Sequence, residues 1–268
     1  MSLLESKKIS VIGCGNMGSS IISGLLQSKL VKAKNILGCD IAKSCLKGIN
    51  VNSTTDCEKA LFWGEIIIIA VKPQQISDLL SKVKKNSAKN KIIISVVAGK
   101  RIAFFQKYFN KGTVIIRSMP NTPAIIQEGA VAFAPSKNAS KIQIDMAECL
   151  LKSIGKVVRV KESQLDAVTA LSGSGPAYVF YLAEIMIDAA KKMGLPSEIA
   201  QKLVFQTLIG ASLLMIGSDY DPSVLRKKVT SPKGTTEKAF DYIKKSNVGQ
   251  NWVKAIMLAK KRSEELSV

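Results

Sequence analysis

The chain has 268 residues, of which 47% are hydrophobic, and its formal net charge is +19. This length suits one large domain or two ordinary ones, and the hydrophobic content argues against disorder. Because the chain has no histidine, it cannot contain a Ser-His-Asp triad, an HExxH zinc site or an imidazole acid/base. Its five cysteines form no CxxC pair, so we expect no metal and reduced thiols.

The basic charge would attract nucleotides, nucleic acid or acidic lipid. The lysines are not interleaved with aromatic residues, so we expect no nucleic-acid binding. Uninterrupted apolar runs such as residues 66–71 are much shorter than the roughly 20 residues of a membrane helix. Residues 1–8 contain no secretory hydrophobic region. We therefore expect a cytoplasmic protein without membrane contact.

Short β-branched runs alternate with helical stretches from residue 8 to about residue 161. The runs are KISVIG, NILGCD, INVN, EIIIIAV, IIISVVAG, TVIIRSMP, GAVAFAPS and KVVRVK. This alternation predicts an α/β fold with a Rossmann-type, doubly wound and mainly parallel sheet. Runs as uniformly apolar as EIIIIAV are typical of central strands that are covered on both faces.

The first strand is followed by GCGNMG, which fits the pattern G-x-G-x-x-G with Gly13, Gly15 and Gly18. The glycines allow a tight turn, the close approach of a pyrophosphate and packing of the next helix, whose N-terminus supplies amides. The pattern predicts a dinucleotide site. The alternative is a glycine turn that serves packing alone.

Asp40 ends the second strand, roughly 20 residues after the last of these glycines, as in dinucleotide-binding folds. A carboxylate there accepts hydrogen bonds from the ribose hydroxyls of NAD and repels the 2′-phosphate of NADP, so Asp40 favours NAD(H). Lys43 would soften that repulsion. Alternatively, Asp40 only caps the following helix.

The segments after the next strands should border the cofactor crevice, because ligands of open α/β sheets bind beyond the carboxyl ends of the strands. AVKP (residues 70–73) follows the fourth strand and VAG (residues 97–99) follows the fifth. Asn121, in MPNTP after the sixth strand, is expected to meet the nicotinamide amide. Each segment has an alternative interpretation as a structural turn.

From residue 163 onward the sequence is helical, and this change of period predicts domains at 1–162 and 163–268. Residues 179–187 are apolar on more than one face of their helix, so we expect a second subunit to cover them. The alternative is a tightly packed monomeric bundle. LSGSGPAY (residues 171–178) removes side-chain bulk where another helix or a ligand comes near.

The late segment VTSPKGTTEKAF (residues 229–240) offers more hydroxyls and amides at a helix entrance than one cap requires. Such a surplus of donors suits an anion. The alternative is an ordinary N-cap.

Taken together, GCGNMG, AVKP, MPNTP, LSGSGPAY and TSPKGTTEKAF resemble the pyrroline-5-carboxylate reductase family over essentially the whole chain. The resemblance implies reduction of L-1-pyrroline-5-carboxylate to L-proline, the last step of proline biosynthesis, with NADP(H) as the family default or NAD(H). It also implies a helical dimerisation domain and often rings of dimers. A related imine or hydroxyacid reductase acting on another small carboxylate is the alternative.

The resemblance also implies the site residues. The cofactor would bind at Ile12, Gly13, Cys14, Gly15, Asn16, Met17, Ala70, Val71, Lys72, Pro73, Val96, Val97 and Ala98. The substrate carboxylate would bind Ser231 and the amides of Gly234 and Thr235, and the catalytic Thr236 would hold the ring nitrogen. The chain departs from the family in having Lys233 where a second glycine is usual, and Cys57 where an asparagine contacts the nucleotide.

Overall fold

In a computed structural model, which describes residues 3–83, 88 and 90–267, the N-terminal part of the chain folds around one sheet. Its eight strands lie in the order β3-β2-β1-β4-β5-β6-β7-β8. The strands are β1 (Ile9–Ile12), β2 (Ile36–Cys39), β3 (Asn52–Thr54), β4 (Ile66–Ile69), β5 (Ile92–Ser95), β6 (Val114–Met119), β7 (Gly129–Pro135) and β8 (Gly155–Arg159).

Neighbouring strands from β3 across to β6 pair in parallel. The β6–β7 pair is antiparallel, and β8 runs parallel to β7. The predicted mainly parallel, Rossmann-type sheet is confirmed. One strand differs from its predicted run, because β3 begins at Asn52, where INVN ends. Ile49 and Val51 of that run instead pack against the core ahead of the strand.

The helices of this part are α1 (Asn16–Gln27), α2 (Cys57–Trp63), α3 (Ile76–Ser81), α4 (Ile102–Gln106), α5 (Lys141–Leu151) and α6 (Leu165–Val168). Strand β4 explains how they cover the sheet. Ile66 and Ile68 face one core with residues of α1 and α5, while Ile67 and Ile69 face the other with residues of α2, α3 and α4. All four isoleucines are buried, and each contributes about 1.5–3 kcal/mol. The uniform EIIIIAV run therefore reflects burial on both faces.

The remaining helices are α7 (Gly175–Lys192), α8 (Ser197–Ile216), α9 (Pro222–Lys228), α10 (Thr235–Lys245) and α11 (Val248–Leu266). Helices α7 and α8 pack against each other, and their buried residues include the small Ala183 and Ala200. Trp252 contacts the rings of Tyr178 and Tyr181 at centroid distances of 6.0 and 6.4 Å.

Large apolar side chains on α7 and α8 are nevertheless exposed, as Phe180 at 61% and Leu213 at 63% illustrate. Helix α8 is long and apolar enough to cross a membrane by length and composition, with a mean hydropathy of 1.6, and 11% of it is buried. A single helix of this kind is weak evidence of a membrane span. Helix α8 does not stand out as an uninterrupted apolar run in the sequence, because Gln206, Thr207 and Ser212 interrupt it.

The chain forms two compact units, and the first contains Met1–Ser174 together with Ala259–Val268. The second unit is Gly175–Leu258. The chain thus leaves the first unit after residue 174 and returns to it within α11. The division into domains 1–162 and 163–268 stays a prediction.

A buried polar cluster holds the returning segment in the first unit. Asp166, at the start of α6, accepts hydrogen bonds from Ser263 Oγ at 2.9 Å and Ser267 Oγ at 2.8 Å. The Arg117 guanidinium lies 3.5 Å from the same carboxylate and 3.7 Å from Glu162. Asp166 and Arg117 are 5% and 4% exposed. Each buried charge is therefore paired, as burial requires.

Candidate active site

The loop between β1 and α1 needs two of its glycines for packing. Gly13 has a φ of +93°, in the left-handed region, and a Cβ there would lie 2.6 Å from the carbonyl oxygen of Ala70. A Cβ on Gly18 would overlap the carbonyl oxygen of Gly13. Gly15 differs, because a Cβ there would have no heavy atom within 4 Å. The space beside Gly15, at the N-terminus of α1, is therefore open to a ligand.

Asp40 is bound to this loop. Its Oδ2 accepts a hydrogen bond from the amide of Cys14 at 2.8 Å, and its Oδ1 accepts one from the amide of Ala42 at 2.9 Å. The second bond belongs to the turn before the short 3₁₀ helix at Lys43–Leu46, whose N-cap is Ala42 without a side-chain cap hydrogen bond, so the alternative that Asp40 caps this helix is wrong. The first bond fixes the carboxylate beside the glycine loop.

The loops that follow β1, β4 and β5 lie along one edge of the sheet. The amide of Ala70 donates to Ile12 at 2.7 Å, and the amide of Val96 donates to Ile69 at 3.0 Å. Val97 is buried beneath this edge, while Lys72, Pro73 and Ala98 are exposed. The structure therefore brings the predicted cofactor segments together at the carboxyl ends of the strands, where ligands of such sheets bind.

Asn121 has a structural use that the sequence did not reveal. Its Nδ2 donates to the carbonyl oxygen of Ser172 at 3.0 Å, and its Oδ1 accepts from the amide of Ala130 at 2.9 Å. The side chain thus joins the end of β6 to β7 and to the LSGSG segment. The contact of Asn121 with a nicotinamide stays a prediction.

The LSGSG segment itself forms a π-helical turn at Thr169–Gly173 before α7 begins. A Cβ on Gly173 would lie 2.7 Å from Cε of Met119. Within the described part of the chain, Gly173 therefore lies close to the side chain of Met119, the last residue of β6.

The late loop leads into α10 as its sequence indicates. Gly234 occupies the N-cap position, and since it has no side chain it supplies no capping oxygen to the first amides of the helix. A Cβ on Gly234 would overlap Ser231 Oγ. Thr236 is half-buried, whereas Ser231 and Thr235 are exposed. The hydroxyls of Ser231, Thr235 and Thr236 therefore stand at the entrance of an 11-residue helix.

Lys233 has a φ of +60°. This is the left-handed region, which favours glycine, and it accounts for the usual glycine at the corresponding position of the family that the sequence resembles. The Lys233 amide donates to Glu237 Oε2 at 2.7 Å. Glu237 thus stabilises the left-handed turn from inside the helix, in the manner of a capping box displaced by one residue.

The predicted cofactor residues all belong to the first compact unit, and the predicted substrate residues all belong to the second. In the first unit, the glycine loop lies beside Asp40 and the segments after β4 and β5. In the second unit, residues 231–236 lie together at the start of α10.

Two family models match different parts of the chain. The model described as "Pyrroline-5-carboxylate reductase dimerisation" matches residues 162–266, and the model described as "NADP oxidoreductase coenzyme F420-dependent" matches residues 8–99. The dimerisation match includes α7 and α8, so the exposed apolar side chains of these helices agree with the predicted self-association.

Full-length relatives carry the same family name. The chain is 34% identical to a pyrroline-5-carboxylate reductase of Methanosarcina acetivorans, covering 98% of this chain and 99% of the relative. It is 37% identical to pyrroline-5-carboxylate reductase 2 of Bacillus subtilis, covering 97% and 95%.

A solved structure also has this fold. The pyrroline carboxylate reductase of Plasmodium falciparum, crystallised with NADP bound, superimposes with a TM-score of 0.91 at 28% identity, covering 98% of this chain and 99% of the other. These matches do not favour the alternative of another small-carboxylate reductase. The chain belongs to the pyrroline-5-carboxylate reductase family.

Proposed function

We propose that this chain is an NAD(P)H-dependent oxidoreductase that reduces L-1-pyrroline-5-carboxylate to L-proline, the last step of proline biosynthesis. The observation that carries the proposal is the similarity to proteins of that name over 97–98% of the chain. The reaction needs a dinucleotide site and a site for a small carboxylate, and the glycine loop and the entrance of α10 have the properties of these two sites.

The residues of the first unit fit a dinucleotide. Open space beside Gly15 at the first turn of α1 suits a pyrophosphate, which accepts hydrogen bonds from helix N-terminal amides. We assign cofactor binding to residues 12–18, 70–73 and 96–98, with Asp40 at the ribose and Asn121 near the nicotinamide. When bound, the reduced nicotinamide supplies the hydride that C5 of the substrate accepts.

We assign a preference for NADH to Asp40. The hydrogen bonds from the amides of Cys14 and Ala42 hold its carboxylate in place. A fixed negative charge there repels the 2′-phosphate of NADPH and accepts the ribose hydroxyls of NADH. The ratio of kcat/KM for the two cofactors measures the preference. Asp40→Ser should move it toward NADPH, and an unchanged ratio would contradict the role of Asp40.

The substrate carboxylate is assigned to the entrance of α10. The resemblance assigns the amides of Gly234 and Thr235 and the hydroxyl of Ser231 as its donors. In the structure the Gly234 amide donates to the carbonyl oxygen of Ser231 at 3.0 Å, so binding of the carboxylate through this amide would replace that bond. The positive end of the helix dipole favours an anion. The last turn of α9, directly before the loop, contributes the positive charges of Arg226, Lys227 and Lys228. The net positive potential there increases the local concentration of an acidic substrate.

Thr236 is assigned to the ring nitrogen of the substrate. Its hydroxyl accepts a hydrogen bond from the N–H of the protonated imine and thereby orients C5 toward the hydride donor. An iminium carbon accepts hydride without a strong general acid, so the chemistry proceeds in a chain that has no histidine. Catalysis then comes from positioning.

The helical region is assigned to self-association as dimers that assemble further into rings. Its exposed apolar side chains on α7 and α8 are the surface that such an assembly would bury. We further propose a cytoplasmic location, a site that acts on a small molecule without nucleic acid or membrane, and the domain limits 1–162 and 163–268.

The direct test is spectrophotometric. Purified protein with pyrroline-5-carboxylate should oxidise NADH or NADPH and form L-proline, and no turnover with either cofactor would reject the proposal.

A variant series tests the assignment of Thr236. Thr236→Ala should lower kcat/KM about 100-fold, the scale of a lost transition-state hydrogen bond, while the Kd of NADH stays within about twofold. Thr236→Ser keeps the hydroxyl and should retain most of the activity. Thr207→Ala, which removes an exposed helical hydroxyl bonded to Leu203, serves as the control. Equal losses in catalysis and in NADH binding for Thr236→Ala would contradict the role.

A further inference from the structure

Two cysteines from separate elements meet beside the proposed ribose position. Cys39 ends β2, directly before Asp40, and Cys57 begins α2. Their sulfur atoms are 3.4 Å apart. Cys39 is fully buried, whereas Cys57 is half-buried, so Cys57 is the more exposed residue of the pair. No sequence motif predicts this pair, because the two cysteines are 18 residues apart.

The hydrogen bond between the two thiols shifts their pKa values in opposite directions. The hydrogen bond from Cys39 lowers the pKa of Cys57 below its usual value, and the same hydrogen bond, with burial, raises the pKa of Cys39. Burial, with the nearby Asp40 carboxylate, raises the pKa of Cys14 to about 12. Of these three neighbours, Cys57 is therefore the one that ionises first, and the thiolate is the reactive form of cysteine.

We propose that Cys39 and Cys57 form a reversible dithiol–disulfide pair, and that its disulfide form binds the dinucleotide more weakly. The second part rests on the proposed dinucleotide site, and the first part stands without it. The oxidant belongs to the class of small disulfides, such as oxidised glutathione.

The exchange balances in two steps. The Cys57 thiolate attacks one sulfur of the oxidised glutathione, which forms a mixed disulfide and releases one glutathione thiolate. Cys39 loses its proton to solvent and attacks Cys57 Sγ, which closes the protein disulfide and releases the second glutathione thiolate. Two electrons pass from the two cysteines to glutathione, and dithiothreitol reverses the reaction.

Closing the bond would change the proposed cofactor site. The sulfur atoms must approach from 3.4 Å to about 2.05 Å, which draws the end of β2 toward α2. The Cys39 carbonyl accepts the amide of Gly13 at 2.8 Å, and the next residue, Asp40, holds the amide of Cys14. The glycine loop is therefore hydrogen-bonded to the backbone that moves. By reciprocal linkage, bound NADH should favour the dithiol.

Peptide mapping tests the first part, because each cysteine lies in its own tryptic peptide. Cys39 is in residues 35–43 and Cys57 is in residues 48–59. After incubation of the full-length protein with oxidised glutathione and alkylation of free thiols, mass spectrometry should find these two peptides joined. Cys149→Ser should retain the cross-link, and Cys57→Ser and Cys57→Ala should lose it. Glutathione attached to Cys57 without closure, or a cross-link between other cysteines, would overturn the proposal.

NADH titration by fluorescence tests the second part without any substrate. Oxidation should raise the Kd of NADH roughly fivefold or more, the lower range of coupling between linked sites, and dithiothreitol should restore it. Cys57→Ser should show no such change, and Cys149→Ser should behave as the unmodified chain. A Kd that does not change although the cross-link has formed would overturn this part. Failure of the reduced protein to bind NADH would instead reject the proposed cofactor site, and the peptide map would still decide the first part.

Discussion

Replacing Asp166 by alanine should destabilise the first unit by about 3 kcal/mol. The carboxylate accepts hydrogen bonds from Ser263 and Ser267, and a hydrogen bond to a charged group contributes about 1.5–3 kcal/mol. Removing one partner of a buried ion pair costs about 3–5 kcal/mol. Because Glu162 still lies 3.7 Å from Arg117, we expect a loss near the lower end of that range.

Urea unfolding at fixed protein concentration measures the global effect, and hydrogen exchange measures the local one. The amides of residues 263–267 should exchange faster in Asp166→Ala, because the segment loses its bonds to α6. Glu198→Ala breaks the exposed pair with Lys202 and should change the unfolding free energy by less than about 1 kcal/mol. A loss below about 1 kcal/mol in Asp166→Ala, or unchanged exchange at the C-terminal segment, would refute the reasoning.

The same carboxylate predicts a pH dependence. Burial raises the pKa of Asp166, but the hydrogen bonds from Ser267 and Ser263 and the charge of Arg117 outweigh burial, so the pKa lies below its usual value. The unfolded chain then binds the proton more readily, and the stabilisation is present above about pH 4 and lost as the pH falls through the folded pKa. The difference in unfolding free energy between the unmodified chain and Asp166→Asn should therefore shrink below about pH 4.

Three further substitutions test the two loops. Gly13→Ala forces a Cβ to 2.6 Å from a carbonyl oxygen at a φ of +93°, and should weaken NADH binding at least about tenfold, a loss of ~1.4 kcal/mol, in a fluorescence titration. Gly234→Ala displaces Ser231 Oγ and should raise the KM for pyrroline-5-carboxylate while the Kd of NADH stays the same. Lys233→Gly relieves a left-handed backbone and should increase the unfolding free energy by up to about 1 kcal/mol. Lys29→Gly is the control, because Lys29 also has a left-handed φ, of 55°, but lies outside both loops. It should stabilise the chain similarly without changing the KM for pyrroline-5-carboxylate.

The sheet was predictable because each of its strands is short, local and patterned. The run EIIIIAV has no polar face, and the structure buries Ile66 and Ile67 in different cores. Burial on both faces is a property that one stretch of sequence reveals by itself. The order of the motifs then brings the predicted cofactor segments together, since parallel strands bring their carboxyl ends to one edge.

The tertiary hydrogen bonds were not predictable in the same way. Asp166 and Ser267 are 101 residues apart, and neither lies in a motif that names its partner. The bonds of Asn121 to Ser172 and Ala130 were likewise not predicted. Polar side chains form hydrogen bonds with the groups that the fold brings near them, including backbone groups that are otherwise unpaired. The sequence pattern does not show which groups come near each other. The return of α11 to the first unit was missed for the same reason.

The structural hydrogen bonds of Asp40 leave room for its proposed contact with a ribose. A carboxylate has two oxygens with about four acceptor positions. The amides of Cys14 and Ala42 occupy one position on each oxygen, so about two positions are left for the two hydroxyls of a ribose. The structural bonds also orient the group, since Oδ2 is bonded to the glycine loop. The hydrogen bonds to Cys14 and Ala42 are thus compatible with the proposed ribose contact of Asp40, and they fix the orientation of its carboxylate.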